Sequence, residues 1–169
     1  FVVLGATGMQ GRIVSKDLLE NGYSVLTCGR DITKVEPLLK KYHKTNFKYF
    51  DVREEKETEE IIKNSGSDII INCVEGDWND KLLELCIRSM VNLIDLGSDI
   101  PMTKKQFSYD NILKKKNLIH ITGCGSVPGI GNVMLRHAVE KFDAIDVIEV
   151  GFAWDSNIKK FVVPFSIQS

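Results

Sequence analysis

Three glycines spaced three apart, Gly5, Gly8 and Gly11, stand between the apolar run "FVVL" and a segment of helical periodicity that begins at Met9. Glycines at a strand-to-helix junction let the backbone turn sharply. They also let a pyrophosphate approach the helix N-terminus with no Cβ in the way. The same spacing would serve a tight turn with close helix packing and no ligand. The surroundings favour the nucleotide, with a strand before, a helix after and a second strand-like run from Tyr23. Thr7, Met9 and Gln10 complete the loop and join the three glycines as candidate cofactor contacts.

Downstream, short β-branched runs alternate with longer amphipathic segments, the pattern of crossover units around a parallel sheet buried on both faces. Strands are predicted at 1–4, 23–28, 47–50, 68–73, 91–95 and 118–122, and helices at 9–20, 32–42, 55–63, 80–90, 104–116 and 129–141. In the first helix Ile13, Leu18 and Leu19 fall near one face, and Asn21-Gly22 suits a left-handed stop. The expected fold class is therefore α/β, a doubly wound parallel sheet. After the sixth helix the pattern changes. "IDVIEVGFAW" and "KKFVVPF" are separated only by "DSNI", which predicts a hairpin or meander. We accordingly expect a dinucleotide-binding domain over 1–143 and the start of a second domain, for substrate and dimerisation, over 144–169. A first residue already inside a strand pattern, Phe1, and an ending just past another apolar run read as a piece of a longer protein.

Composition narrows the partners. Twenty-two Lys and Arg against 23 Asp and Glu leave a net charge of -1, with none of the one-sided field that recruits nucleic acid or anionic membrane. No apolar stretch approaches the roughly 20 residues of a membrane span. Cys28, Cys73, Cys86 and Cys124 lie far apart without a C-x-x-C pair, which suggests reduced thiols and a cytoplasmic setting. His43, His120 and His137 lack metal-ligand spacing, and His120, in "NLIHIT", reads as a satisfied core residue. No metal is expected.

Cofactor choice turns on the end of the second strand, where NAD-binding chains usually carry an acid for the ribose 2′-hydroxyl. Here the sequence is Cys28-Gly29-Arg30-Asp31. A guanidinium at that place can pair with a 2′-phosphate, which points to NADP, with NAD as the other candidate. Asp31 either caps the next helix or reaches the ribose itself. Asp51 and Val52, ending the third strand, either border the adenine or, for Asp51, cap the following helix. Cys73 and Val74, ending the fourth, either run beneath the middle of the cofactor or belong to the core.

The runs "GATGMQGRIV", "CGRD", "FDV", "LLELCIRSMVNLIDLGSD" and "GCGSVPGIGNVMLRHAV" together resemble the NADP-binding Rossmann domain of the saccharopine dehydrogenase family over nearly the whole chain. The resemblance implies an NAD(P)-dependent oxidoreductase that transfers hydride at a C–N bond of an amino-acid-derived imine or secondary amine. It also implies a small-molecule substrate held largely by a second domain, and a possible homodimer of the full-length protein. Family members commonly carry aspartate before the proline of the G-x-x-P-G turn, where this chain has Val127. Ser126, Val127 and Pro128 are therefore carried over as cofactor contacts only.

No Tyr-x-x-x-Lys pair occurs, so the tyrosine proton transfer of short-chain reductases is not expected. Asp95, Ser98 and Asp99 follow the fifth strand, where they could touch substrate or nicotinamide ribose or serve only as turn and cap residues. No general acid or base is assigned. The alternative to an enzyme is a non-catalytic, NADP-sensing regulator on the same fold.

Overall fold

The apolar alternation resolves into two cores divided by one sheet. In the structure, a computed structural model describing residues 1–149, β1 (Val2–Leu4) lies mid-sheet with all three residues fully buried. Successive side chains of a strand point to opposite faces. Val2 and Leu4 accordingly join one core cluster and Val3 the other. The remaining strands are β2 (Val25–Gly29), β3 (Thr45–Tyr49), β4 (Ile69–Asn72), β5 (Asn92–Asp95) and β6 (His120–Ile121). All pair in parallel, in the order β3-β2-β1-β4-β5-β6. The chain builds outward from β1 in one direction, then returns to start again at β4. That reversal opens a crevice at the carboxyl ends of β1 and β4.

Seven helices flank the sheet among the described residues: α1 (Met9–Glu20), α2 (Glu36–Lys41), α3 (Glu55–Asn64), α4 (Asn79–Ser89), α5 (Ile100–Phe107), α6 (Asp110–Lys116) and α7 (Ile130–Val139). On one face α3 and α4 bury Ile61, Ile62, Leu82, Leu83 and Leu85 with Val2, Leu4 and Ile70. On the other, Leu19 of α1 and Leu38 and Leu39 of α2 pack with Val3 and Ile71. Each fully buried leucine contributes about 1.5–3 kcal/mol relative to exposure, so these two layers hold the strand ends in place.

Three local expectations need correction. Helix α1 seats Gly11, Ser15 and Leu19 against the sheet, while Ile13 is 51% exposed. Its inward stripe is small because the helix lies close on β1. The helix expected over 104–116 is two, α5 and α6. Asp99 starts α5 early by accepting the Met102 N–H at 2.8 Å, with Pro101 in the first turn. Ser108 ends it by donating its hydroxyl to the Lys105 carbonyl at 2.6 Å. The helix expected over 32–42 opens instead as a 3-10 turn at Ile32–Lys34, and α2 follows. The second strand-like run, "KKFVVPF", and the end of the first lie outside the described residues.

Burial pushes the Cys28, Cys73 and Cys86 thiols up to about 12, while Cys124 is exposed. Thiolate is the reactive form. Partial burial and the Asp95 charge raise the Cys124 thiol as well, but it alone is exposed, so iodoacetamide at pH 8 is expected to modify one thiol ahead of the other three in the native chain and all four after unfolding. Rapid loss of two or more native thiols would contradict this packing.

Candidate functional site

At the crevice, β1 delivers Gly5 into a turn with φ +75°, the left-handed region open to glycine. A Cβ at Gly5 would stand 2.9 Å from the Cys73 carbonyl carbon and oxygen and 3.0 Å from Val74 Cγ1. A Cβ at Gly11 would overlap the Gly5 carbonyl oxygen and come within 2.7 Å of Ala6 Cα. Packing alone therefore excludes side chains at both positions.

Gly8 is different. Its backbone is extended, with φ -76° and ψ 175°, and a Cβ there would meet only the Gly5 oxygen, at 3.2 Å. Gly8 is exposed and stands at the N-cap of α1 without a side-chain cap, and the first turn carries no acid. The Gly8 N–H donates to Gly5 O at 2.9 Å and Arg12 N–H to Gly8 O at 3.1 Å. Between them, the backbone N–H groups of Met9, Gln10 and Gly11 have no acceptor among the described residues. Such unpaired donors carry the positive end of the helix dipole and suit an anion.

The other predicted segments meet this loop along the same sheet edge. Gly29, closing β2, is glycine because a Cβ would overlap the Thr7 side chain. Arg30 follows it, exposed and without a hydrogen bond or ion pair among the described residues. Asp31 caps the 3-10 turn, accepting from Thr33 N at 3.0 Å and Thr33 Oγ1 at 2.6 Å; the hydroxyl and amide bonds hold its carboxyl below the usual range. Of its two readings, this geometry favours the cap.

Asp51 is not the cap of α3, whose N-cap is Glu54. It is buried to 8% exposure and accepts from Arg53, from Nε at 2.9 Å, from Nη2, and from the backbone N–H at 3.1 Å. These side-chain and backbone hydrogen bonds, with smaller help from the Arg30 charge, hold its carboxyl well below the ordinary range. Val52 packs partly buried on the first core cluster, and Cys73 and Val74 floor the turn at Gly5. Ser126, Val127 and Pro128 lie beyond β6, with Pro128 against Gly97 and Gly123.

Two buried polar networks organise this edge. Asn72 ends β4 and donates its side-chain Nδ2 to Asn79 Oδ1 at 2.7 Å, while its side-chain Oδ1 accepts the Val74 N–H at 3.0 Å. Asn79 in turn donates to Gly97 O at 3.2 Å, tying β4, α4 and the loop after β5 together. Asp95, fully buried, is the hub of the second. Its Oδ1 accepts from Gly97 N (2.8 Å), Thr122 Oγ1 (2.9 Å) and Gly123 N (3.1 Å). Its Oδ2 meets Gln106 Nε2 (2.7 Å) and His120 Nε2 (2.8 Å). Asp95 is thus a turn-organising residue and Asp99 a cap; His120 is the satisfied core histidine its strand suggested. The sequence carried a signal for Asn72 and Asp95, a polar residue closing the apolar run in each of "IIIN" and "NLID". Gln106 and Asn79 had none.

A parallel sheet in this order, with an uncapped helix N-terminus at its reversal, defines a Rossmann domain of the dinucleotide-binding class. The chain belongs to the NAD dependent epimerase/dehydratase family, whose pattern residues 1–97 match. It is also similar to carboxyaminopropylagmatine dehydrogenase of Synechocystis, 22% identical over 159 aligned residues, covering 88% of this chain and 40% of that protein. This chain thus spans well under half the length of that curated relative.

In fold it matches apo saccharopine dehydrogenase (L-Glu forming) of Saccharomyces cerevisiae, with a TM-score of 0.68 at 15% identity, over 83% of this chain and 30% of that one. The leucoanthocyanidin reductase–NADPH complex of Vitis vinifera follows at 0.53 and 16%, over 72% and 48%. The saccharopine dehydrogenase resemblance read from the motifs is borne out. No helix among the described residues is long and apolar enough to cross a membrane.

Proposed function

We propose that this domain binds NADP in preference to NAD and serves an oxidoreductase of the saccharopine dehydrogenase type, acting at a C–N bond of an amino-acid-derived imine or secondary amine. The observation that carries the cofactor half is Gly8: no conformation and little packing demands glycine there, yet it fronts three unpaired N–H donors. The residues fit the group. Met9, Gln10 and Gly11 would hold the pyrophosphate through their N–H groups, and Arg30 would face the 2′-phosphate. Asp51, Val52, Cys73 and Val74 would border the adenosine and the cofactor's middle. When bound, the dinucleotide supplies the hydride.

The substrate half rests on similarity to two dehydrogenases whose names place them in amine and amino-acid chemistry. Ser126, Val127 and Pro128 are proposed as cofactor contacts from the nicotinamide side. A cofactor-sensing regulator shares the binding half of this reading and is separated from it by turnover.

The experiment is a fluorescence titration with NADPH and NADH, on the protein and on Arg30→Ala. A single charge-assisted pair supports a preference of about tenfold to a hundredfold. Wild-type protein should show that preference for NADPH, and Arg30→Ala should sharply reduce it with NADH binding unchanged. Equal affinities in the wild type would sink the NADP assignment; binding of neither would remove the dinucleotide itself.

A further inference from the structure

We infer that Arg53, presented by Asp51, is a second specificity-determining cation of the adenosine end, directed at the 2′-phosphate beside Arg30. This rests on the NADP reading of Arg30 and deepens it.

The register of the sheet sets the juxtaposition. Gly29 pairs with Tyr49, and the Phe50 N–H continues the ladder to Gly29 O at 3.0 Å. Arg30 and Asp51 therefore leave neighbouring strands at the same edge, one residue past the last rungs. They are near enough that the Arg30 charge acts on the Asp51 carboxyl. Asp51 is 8% exposed, so its carboxylate is removed from most of the solvent, whereas the Arg53 side chain is 66% exposed. A buried carboxylate that takes Nε, Nη2 and the backbone N–H of one arginine fixes the plane of that guanidinium. Arginine has five donors; two are spent on Asp51, and the outward ones remain for a further acceptor.

Most of the carboxylate's accepting capacity is taken: Oδ1 accepts twice and Oδ2 once, all from Arg53. Both oxygens of Asp51 serve Arg53, so the carboxylate's first role at this edge is to orient that guanidinium. The edge carries two guanidinium groups with donors left over, beside the acids Asp31 and Glu54: Arg30, without an ion-pair partner among the described residues, and Arg53, three of whose donors Asp51 does not take. A dianionic phosphate ester on the adenosine ribose matches two guanidinium groups. A ribose 2′-hydroxyl, neutral, gains little from the second.

The test measures 2′,5′-ADP and 5′-AMP binding by calorimetry, and NADPH and NADH by fluorescence, on wild type, Arg30→Ala, Arg53→Gln, Arg53→Lys and Asp51→Asn, with circular dichroism to verify folding. Arg53→Gln is expected to weaken 2′,5′-ADP and NADPH by about fivefold to twentyfold, the exposed charge being partly screened. It should leave 5′-AMP and NADH unchanged. Arg53→Lys should recover part of the loss, since it keeps the charge without the fork. Asp51→Asn should weaken the 2′-phosphorylated ligands, 2′,5′-ADP and NADPH, by an intermediate factor and more than it weakens 5′-AMP and NADH.

Three results overturn the inference. Equal weakening of both ligand pairs would make Arg53 an adenine-stacking or structural residue. No change in either would make it an exposed ion pair. If Arg30→Ala removes the NADPH preference while Arg53→Gln keeps it, Arg30 acts alone and only this inference fails. A wild type without preference for the 2′-phosphate would instead remove the reading beneath it.

Discussion

Alanine at Gly11 is expected to destabilise the domain by about 3 kcal/mol, the upper range for forcing one extra methyl into a packed site. The added Cβ would collide with the Gly5 carbonyl oxygen and with Ala6 Cα, and all of these are backbone atoms that no rotamer change can move aside. Relief requires α1 to lift from β1, which uncovers Leu19 and Val3. Alanine at Gly8 should behave in the opposite way. Its φ and ψ suit alanine and its one near neighbour stands at 3.2 Å, so stability should fall by only about 0.5–1 kcal/mol, the cost of a poorer N-cap. Dinucleotide affinity, by contrast, should fall at least about tenfold, because Gly8 directly precedes the unpaired Met9, Gln10 and Gly11 amides and an added methyl group there narrows the approach of a phosphate. Urea denaturation and NADPH titration of the two variants measure both quantities. A Gly8→Ala protein that binds as tightly as wild type would mean that no phosphate approaches this loop.

Removing Asp95 should have the largest effect on stability. Asp95→Ala would strand the donors of Gly97, Gln106 and Gly123, leave Thr122 only the Gln106 Oε1 acceptor and leave His120 facing no carboxylate, all in buried or half-buried surroundings. Breaking a buried, hydrogen-bonded charge costs about 3–5 kcal/mol. In a domain whose whole stability is about 5–15 kcal/mol, that is enough to populate unfolded chain. Asp95→Asn keeps the shape and should cost less.

The pH dependence has a definite sign. Burial alone would raise the Asp95 carboxyl, but hydrogen bonds from His120, Gly123, Gln106 and Thr122 outweigh it and hold it below its ordinary value of 3.8. A depressed carboxyl contributes stability that is fully present above the unfolded value and is lost as pH falls through the folded one. Wild-type stability should therefore drop below about pH 4, and Asp95→Asn should show a shallower acid limb in thermal melts. Parallel acid limbs would show that Asp95 does not contribute to it.

Much of this was legible in the sequence because it depends on local rules. The alternation of β-branched runs with amphipathic segments placed every strand and nearly every helix, and Asn21-Gly22 marked the end of α1. The glycine loop was legible for the same reason, since a strand that turns at once into a helix has few ways to do so. Where the reading failed, close packing and side-chain hydrogen bonds that hydrophobic periodicity does not register decided. Ile13 looked like a core residue but is exposed, because the depth of α1 on the sheet is set by Gly11 against Gly5. The helix over 104–116 broke at Ser108, where side-chain hydrogen bonding to Lys105 competes with the next turn.

The sequence by itself determined the class of fold, the strand-to-helix turn and the identity of the loop glycines, since periodicity and steric exclusion act over a few residues. Only the tertiary structure decided what the polar residues at the strand ends do. Asp51 took Arg53, Asp31 took Thr33, and Asp95 gathered donors from the loop after β5, from α5 and from β6 and the loop beyond it. A carboxylate in a chain is ambiguous because its role is set by which donors share its low-dielectric surroundings. Those donors arrive through sheet order and register, from up to 28 residues away in the case of Gly123.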